Sequence, residues 1–579
     1  MKKQRQALHL YNAIHMKRAI KLLLNVAACI FFLSCKQQAG SPSAETIDAL
    51  ELKKGNLVAC GPEEQQLGFV AFPISGDVSE NEAFNLGLKL LHSFEYDAAE
   101  QVFARIIYRQ PQCAMAYWGV AMSNFHPLWA PPTEAEITKG AKAIAIAAAL
   151  RPKTAKESDY INAIAAFYNN WENLDHKTRC IKFETAMQQL HQRHPDDLEA
   201  AIFYALALNA AADPADKSLW RQKKAGALLQ SLYAKAPNHP GVVHYLIHSY
   251  DSPELARLAL PAAKRYAALA PSSAHALHMP SHIFTRLGHW PESIASNLAS
   301  VDAAQCYATT AGLKGHWDEE LHGMDYLVYA HLQRGDSASA RKQMNYLLAM
   351  KAVSPVNFKV AYAFAAIPSR YMLENKLWAE TAALEVPTGI FSWNEYPWQN
   401  AIIHFTRLLG LVHTGNRKGA ERELAVLDRL RQTLLQQKDA YKAGQVAIQI
   451  KTSEAWLYWQ GGEMEKALTS MRNAAEMEEA TEKHPVTPGE VSPANELLAD
   501  MLIELKQWPQ ALEAYEASLA THPNRFNAVF GAAKAAEHSG DVPKARHYYQ
   551  LLSNLCSGIA TNREEIVVAK RFLQMHSAL

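Results

Sequence analysis

Two histidine pairs hold most of the chemistry available to this chain of 579 residues. His244 and His248 are four positions apart, as are His278 and His282, and the second pair follows the first by 34 positions. On a helix, residues at i and i+4 share a face with Cβ atoms roughly 5–6 Å apart, so each pair can offer two imidazoles to one metal ion. His275 precedes the second pair, Asp251 follows the first, His322 and Asp325 lie downstream, and His126 lies upstream. Such a set is rich in nitrogen and suits Zn, Cu, Fe or Ni, with Asp251, Asp325 or Tyr329 completing the ligands or orienting them. Neither pair carries the Glu beside its first His that a zinc protease uses as base. A Gly-x-Ser-x-Gly elbow, a phosphate loop and a dinucleotide fingerprint are also lacking. Hydrolytic or redox chemistry would therefore come from the ion, through an activated water or an open coordination position.

Composition narrows the class of protein that positions these groups. Lys and Arg total 58 against 57 Asp and Glu, so no overall field recommends a polyanion, and no nucleic-acid partner is expected. Hydrophobic residues at 49% and charged residues at 20% fit a folded globular chain.

The start of the chain reads as an export signal. Lys17, Arg18 and Lys21 precede an apolar run from Leu22 to Leu33 that ends at Ser34-Cys35. The run is short of the roughly 20 residues a membrane span needs. It resembles a bacterial lipoprotein signal, which implies cleavage before Cys35, a lipid on that thiol and anchoring in the cell envelope, facing the periplasm or the surface. Residues 35–80 then read as a polar tether. The remaining cysteines, Cys60, Cys113, Cys180, Cys306 and Cys556, are odd in number and widely spread, so no disulfide framework is expected.

From about residue 81 the pattern becomes helical and repetitive. Leu86-Gly87, Ala99, Phe103 and Pro111 match the tetratricopeptide (TPR) spacing, as do Leu498-Ala499, Ala511, Tyr515 and Pro523, followed by Ala533, Gly540, Ala545 and Tyr549. The fold expected from this resemblance is all-α, a TPR-type solenoid of antiparallel helix pairs with a concave face. The chain divides into a signal (1–34), a tether (35–80), N-terminal TPR helices with an insertion (81–236), central His-rich repeats (237–345), irregular helical repeats (346–490) and C-terminal repeats (491–579).

Pro237 and Pro271 close successive repeats, which places the next ones at 240–273 and 274–307. His244 and His278 then occupy position five and His248 and His282 position nine, with His275 at position two and Asp251 at position twelve. In TPR proteins positions two, five, nine, twelve and thirteen of the first helix line the groove, so the resemblance directs five histidines to one place. A repeat starting near Leu321 puts His322 and Asp325 at positions two and five, and His126 falls at position thirteen of the repeat that begins at Ala114.

The strings Ala114–Gly119, His239–His248 (HPGVVHYLIH), His275–Phe284 (HALHMPSHIF) and Glu482–Gly489 (EKHPVTPG) resemble a widespread group of bacterial TPR proteins without a settled activity. The last string reads as an inter-repeat loop fixed by two prolines; the alternative is a lid whose Lys483 or His484 reaches the groove. The tryptophans fall mostly at packing or loop positions. Three functions fit: a transition-metal site with or without catalysis, a metal-free groove for a peptide or protein partner, and a glycan-binding lipoprotein like SusD.

Overall fold

The computed structural model describes residues 41–576 except 59, 62–65, 76–77, 130, 151–153 and 386–388. The signal segment and Cys35 lie outside the described residues. From Asn81–His92 to Glu564–Met575 the chain forms antiparallel helix pairs, each packed on the next, as a TPR-type α-solenoid. One two-residue parallel bridge, His316–Trp317 with Val353–Ser354, interrupts the helices. Among the described residues no helix is long and apolar enough to cross a membrane.

Sequence explains the division of labour within each pair. Some first helices are buried on every side: all ten residues of Ala114–Ser123 are buried, and Pro240–Ser249 is buried but for His248. Second helices such as Tyr96–Arg109 carry one apolar stripe and face solvent with the rest. Phe103 shows why small residues recur at fixed intervals. Its ring is wedged between Gly87 of its own repeat and Gly119 of the next, where an added Cβ would stand 2.6 and 2.5 Å from ring atoms.

Three expectations change. The insertion expected within 81–236 takes the form of three regular helices, Glu134–Ala149, Ala155–Tyr168 and His176–Arg193. The first two open on reciprocal caps, Thr133 with Glu136 and Thr154 with Glu157, a start signal present in the sequence. The segment expected as a tether is instead packed on the body from residue 47. Leu50, Leu52, Leu67, Val70, Phe72 and Ile74 are buried, because alternation along 70–74 turns one apolar face inward. Phe72 sets its ring edge-on against Tyr160 at 5.2 Å. Cys60 forms a disulfide with Cys306, which the odd cysteine count had concealed.

The coil also closes on itself. Trp290 Nε1 donates to the Asn524 carbonyl at 2.9 Å, and Asn524 Nδ2 donates to the Gly288 carbonyl at 3.2 Å. Arg334 Nη2 reaches the Ser557 carbonyl at 2.8 Å. The C-terminal repeats therefore lie against the central ones, and what would be an open groove becomes an interior.

Candidate metal centre

Three consecutive first helices carry the histidines: Pro240–Ser249, the pair Ala274–His278 and Pro280–Arg286, and Asp318–Gln333. Pro280 lacks an N–H and opens the second half of the middle helix, yet the helical phase holds and His278 and His282 keep their rings 4.9 Å apart.

The six imidazoles gather as two adjoining groups of three, not as the single set expected from the repeat register. His244, His248 and His275 form one; His278, His282 and His322 form the other. Within each, the ligand nitrogens lie within 4.8 Å of one another. In the first, His244 Nε2 is 3.1 Å from His248 Nε2 and 3.3 Å from His275 Nε2. In the second, His278 Nε2 is 3.0 Å from His282 Nε2, and the His322 ring lies 4.2 Å from that of His278.

Hydrogen-bond partners on the far side of the rings fix the tautomers. His244 Nδ1 donates to the His92 carbonyl at 2.6 Å. His282 Nδ1 donates to Asp251 Oδ2 at 2.9 Å. His278 Nδ1 donates to Asn297 Oδ1 at 2.6 Å, and that amide is oriented by its own Nδ2, which donates to the Ser293 carbonyl at 2.7 Å. Each of these rings therefore turns an unprotonated Nε2 inward. Two lone pairs 3.0 Å apart repel unless a cation sits between them. That separation is close to the ~3.3 Å between two nitrogens on a tetrahedral ion with Zn–N bonds of about 2.0–2.1 Å. A proton is the poorer occupant, because burial drives the His278 imidazole well below its usual range and takes His282 down to about 4 despite Asp251.

Asp251 accepts from three side chains. Besides His282 it accepts from Arg286 Nε at 2.9 Å and Lys483 Nζ at 3.0 Å. Burial alone would raise its carboxyl, but Lys483 and Arg286 hold it well below the usual carboxylate range. In the first group, His275 Nδ1 lies 3.6 Å from Glu319, which is paired with Lys359.

Lys483 belongs to the loop read as an inter-repeat connection. The loop spans the interior: Tyr326 Oη donates to the Thr487 carbonyl at 2.9 Å, and Arg370 Nη2 donates to the Gly489 carbonyl at 2.7 Å. Of the two readings of this loop, the one in which Lys483 reaches the groove is the one its contact with Asp251 fits.

Two expected residues lie elsewhere. Asp325 is ion-paired with Arg370, which answers its charge before any metal could. His126 meets Glu136 at 3.2 Å and packs on Tyr96; it joins neither group but lines the cavity that reaches His275. Tyr329 takes a hydrogen bond from Arg525 Nη1 at 3.1 Å.

A third cluster was not anticipated. Glu199 accepts from His92 Nε2 at 2.8 Å and from His239 Nε2 at 2.7 Å. Here each Nε2 meets a carboxylate oxygen, so the contacts with Glu199 need no ion. Through the His92 carbonyl the cluster supports His244 from below.

A cavity of ≈ 310 Å³ opens beside His275, lined by Trp129, Trp317, Tyr96, Glu95 and Lys359 among others. Trp129 and Trp317 thus face a cavity instead of serving only as packing. Burial pushes the Glu95 carboxyl up to about 7, a value suited to moving a proton, while Ser273 Oγ donates to it at 2.7 Å.

No protein-family model and no curated protein sequence matches the chain. Among solved structures, the human IFIT1 dimer with m7Gppp-AAAA aligns with 84% of this chain and 96% of its own, at 11% identity and a TM-score of 0.32. A monomeric IFIT1 mutant with Gppp-AAAA aligns over 88% and 100%, at 10% identity and 0.35. The solenoid is defined by the helix pairs described above.

Proposed function

We propose that this chain is an exported, lipid-anchored TPR protein whose histidine groups bind a transition metal of the Zn, Cu, Fe or Ni class. The observation that carries the metal is the His278–His282 contact, with both Nδ1 atoms committed to acceptors and both Nε2 atoms facing each other at 3.0 Å. A bound ion would supply Lewis acidity or an activated water. Glu95 and the aromatic cavity beside His275 would accept a small molecule and exchange a proton with it.

Export is supported by the basic and apolar run before Cys35 and by the Cys60–Cys306 disulfide, a bond that persists in oxidising compartments. Membership of the bacterial group with HPGxxHYxIH, HALHMPSHIF and EKHPVTPG strings is supported by their convergence, since Lys483 of the third reaches Asp251, which orients His282 of the second. A metal-free groove for a peptide partner is less favoured, because Arg370 and the 482–489 loop occupy the interior such a ligand would need.

Metal analysis of protein purified without a polyhistidine tag tests the central reading. Stoichiometric metal that falls in His248→Ala and His282→Ala is the expected result. Metal-free protein that cannot be loaded with Zn²⁺ or Cu²⁺ would refute it. Radiolabelled fatty acid incorporated by the parent and not by Cys35→Ser tests the anchor.

A further inference from the structure

We infer that the six imidazoles build two metal sites side by side, a dinuclear centre with three histidines to each ion and no carboxylate ligand. The inference rests on the metal reading above and goes beyond it in number and arrangement.

The repeat supplies the reason. Position five and position nine of one repeat, with position two of the next, furnish the first site as His244, His248 and His275. The same three positions one repeat further along furnish the second as His278, His282 and His322. The series stops there because positions five and nine of the third repeat are Asp325 and Tyr329, which receive arginines. The third repeat therefore adds no imidazoles at these two positions.

Geometry argues against a single shared ion. Each group has its own close contact between imidazole nitrogens, 3.1 and 3.3 Å in the first and 3.0 Å in the second. An ion bound at about 2 Å from the three nitrogens of one group does not gather the three of the other. Three nitrogens already fill most of a tetrahedral sphere. Between the groups, the His248 and His282 rings are 6.0 Å apart and the His275 and His278 rings 6.3 Å apart, so both ions would share one enclosed compartment. Asp251 ties them together, since it comes from the repeat of His244 and His248 and orients His282 of the second site.

The test uses the full exported chain without an affinity tag, loaded with Zn²⁺ and, separately, with Co²⁺ as a spectroscopic probe. The expected content is two equivalents per chain in the parent and one in each of His275→Ala and His322→Ala. The Co²⁺ form of the parent should show an electron paramagnetic resonance signal weakened by spin coupling, and the single variants should recover an uncoupled signal. One equivalent in the parent overturns the dinuclear site while leaving the metal reading intact; no equivalents overturns both. If a variant fails to fold, half-loaded and fully loaded parent protein decide, because an uncoupled signal that only doubles on full loading contradicts a shared compartment.

Discussion

His278 and His282 face each other through Nε2 atoms 3.0 Å apart, while Asn297 and Asp251 hold the opposite sides of the two rings. The pair is thus set as acceptors on the inside and donors on the outside. Asp251 is the charged member of this arrangement, so its removal should act through His282.

Asp251→Asn keeps the size of the side chain but removes the charge that balances Arg286 and Lys483 and the strong acceptor at His282 Nδ1. Metal affinity should fall by roughly 10–100-fold, the usual effect of losing a group that orients a ligand. Competition with a chromogenic chelator measures it; unchanged affinity in a folded variant would show that the carboxylate does not position His282.

His484 gives the protein an acid-sensitive clasp. It is buried among Phe358, Trp398 and Tyr441, and its Nδ1 accepts from the Val486 N–H at 3.3 Å. Burial first, then Lys442 and Lys483, take its imidazole down to about 3. The folded form therefore binds the proton more weakly than the unfolded chain, whose His titrates near 6.5. The stabilisation is complete above about pH 6.5 and is lost as pH falls towards 3. At pH 5 the loss from this group should be about 2 kcal/mol. Urea unfolding at pH 7.5 and pH 5 should show a smaller acid destabilisation in His484→Gln than in the parent, and equal slopes would contradict it.

Arg525 sits between Glu374 at 2.6 Å and Glu496 at 2.8 Å, with almost no exposure. Burial alone would lower its guanidinium, but the two carboxylates raise it. Arg525→Ala leaves both acids buried without a counter-charge, which should cost about 3–5 kcal/mol. Thermal unfolding would register this as a large drop in midpoint. A change near zero would mean that solvent reaches the carboxylates.

The Cys60–Cys306 disulfide joins residues 246 positions apart. Closing so long a loop constrains the unfolded chain, and Cys60→Ser should lower stability by about 2–5 kcal/mol. Metal content should be unchanged, since neither cysteine is among the histidine groups. Melting curves with and without dithiothreitol should differ for the parent and coincide for the variant.

Local chain chemistry determined the helices and their pairing. Gly87, Phe103 and Gly119 pack as the TPR spacing requires, because a ring can cross a neighbouring helix only where no Cβ stands. The same periodicity placed His244, His248, His278 and His282 on inward faces. What the spacing of residues along one helix cannot convey is how successive helices meet, and that meeting, which sets positions five and nine of one repeat beside position two of the next, divides the six imidazoles into two groups. Tertiary packing also decided the fate of isolated charges. Asp325 occupies a groove position like the histidines, yet Arg370, 45 residues away, claims it. Lys483 reaches Asp251 across 232 residues because the superhelix returns upon itself. Residues 67–74 are apolar throughout, but so short a run within the polar stretch 35–80 reveals its burial only when the surface that covers it is known. Helical phase is a property of neighbours in sequence; which charge meets which is a property of the closed coil.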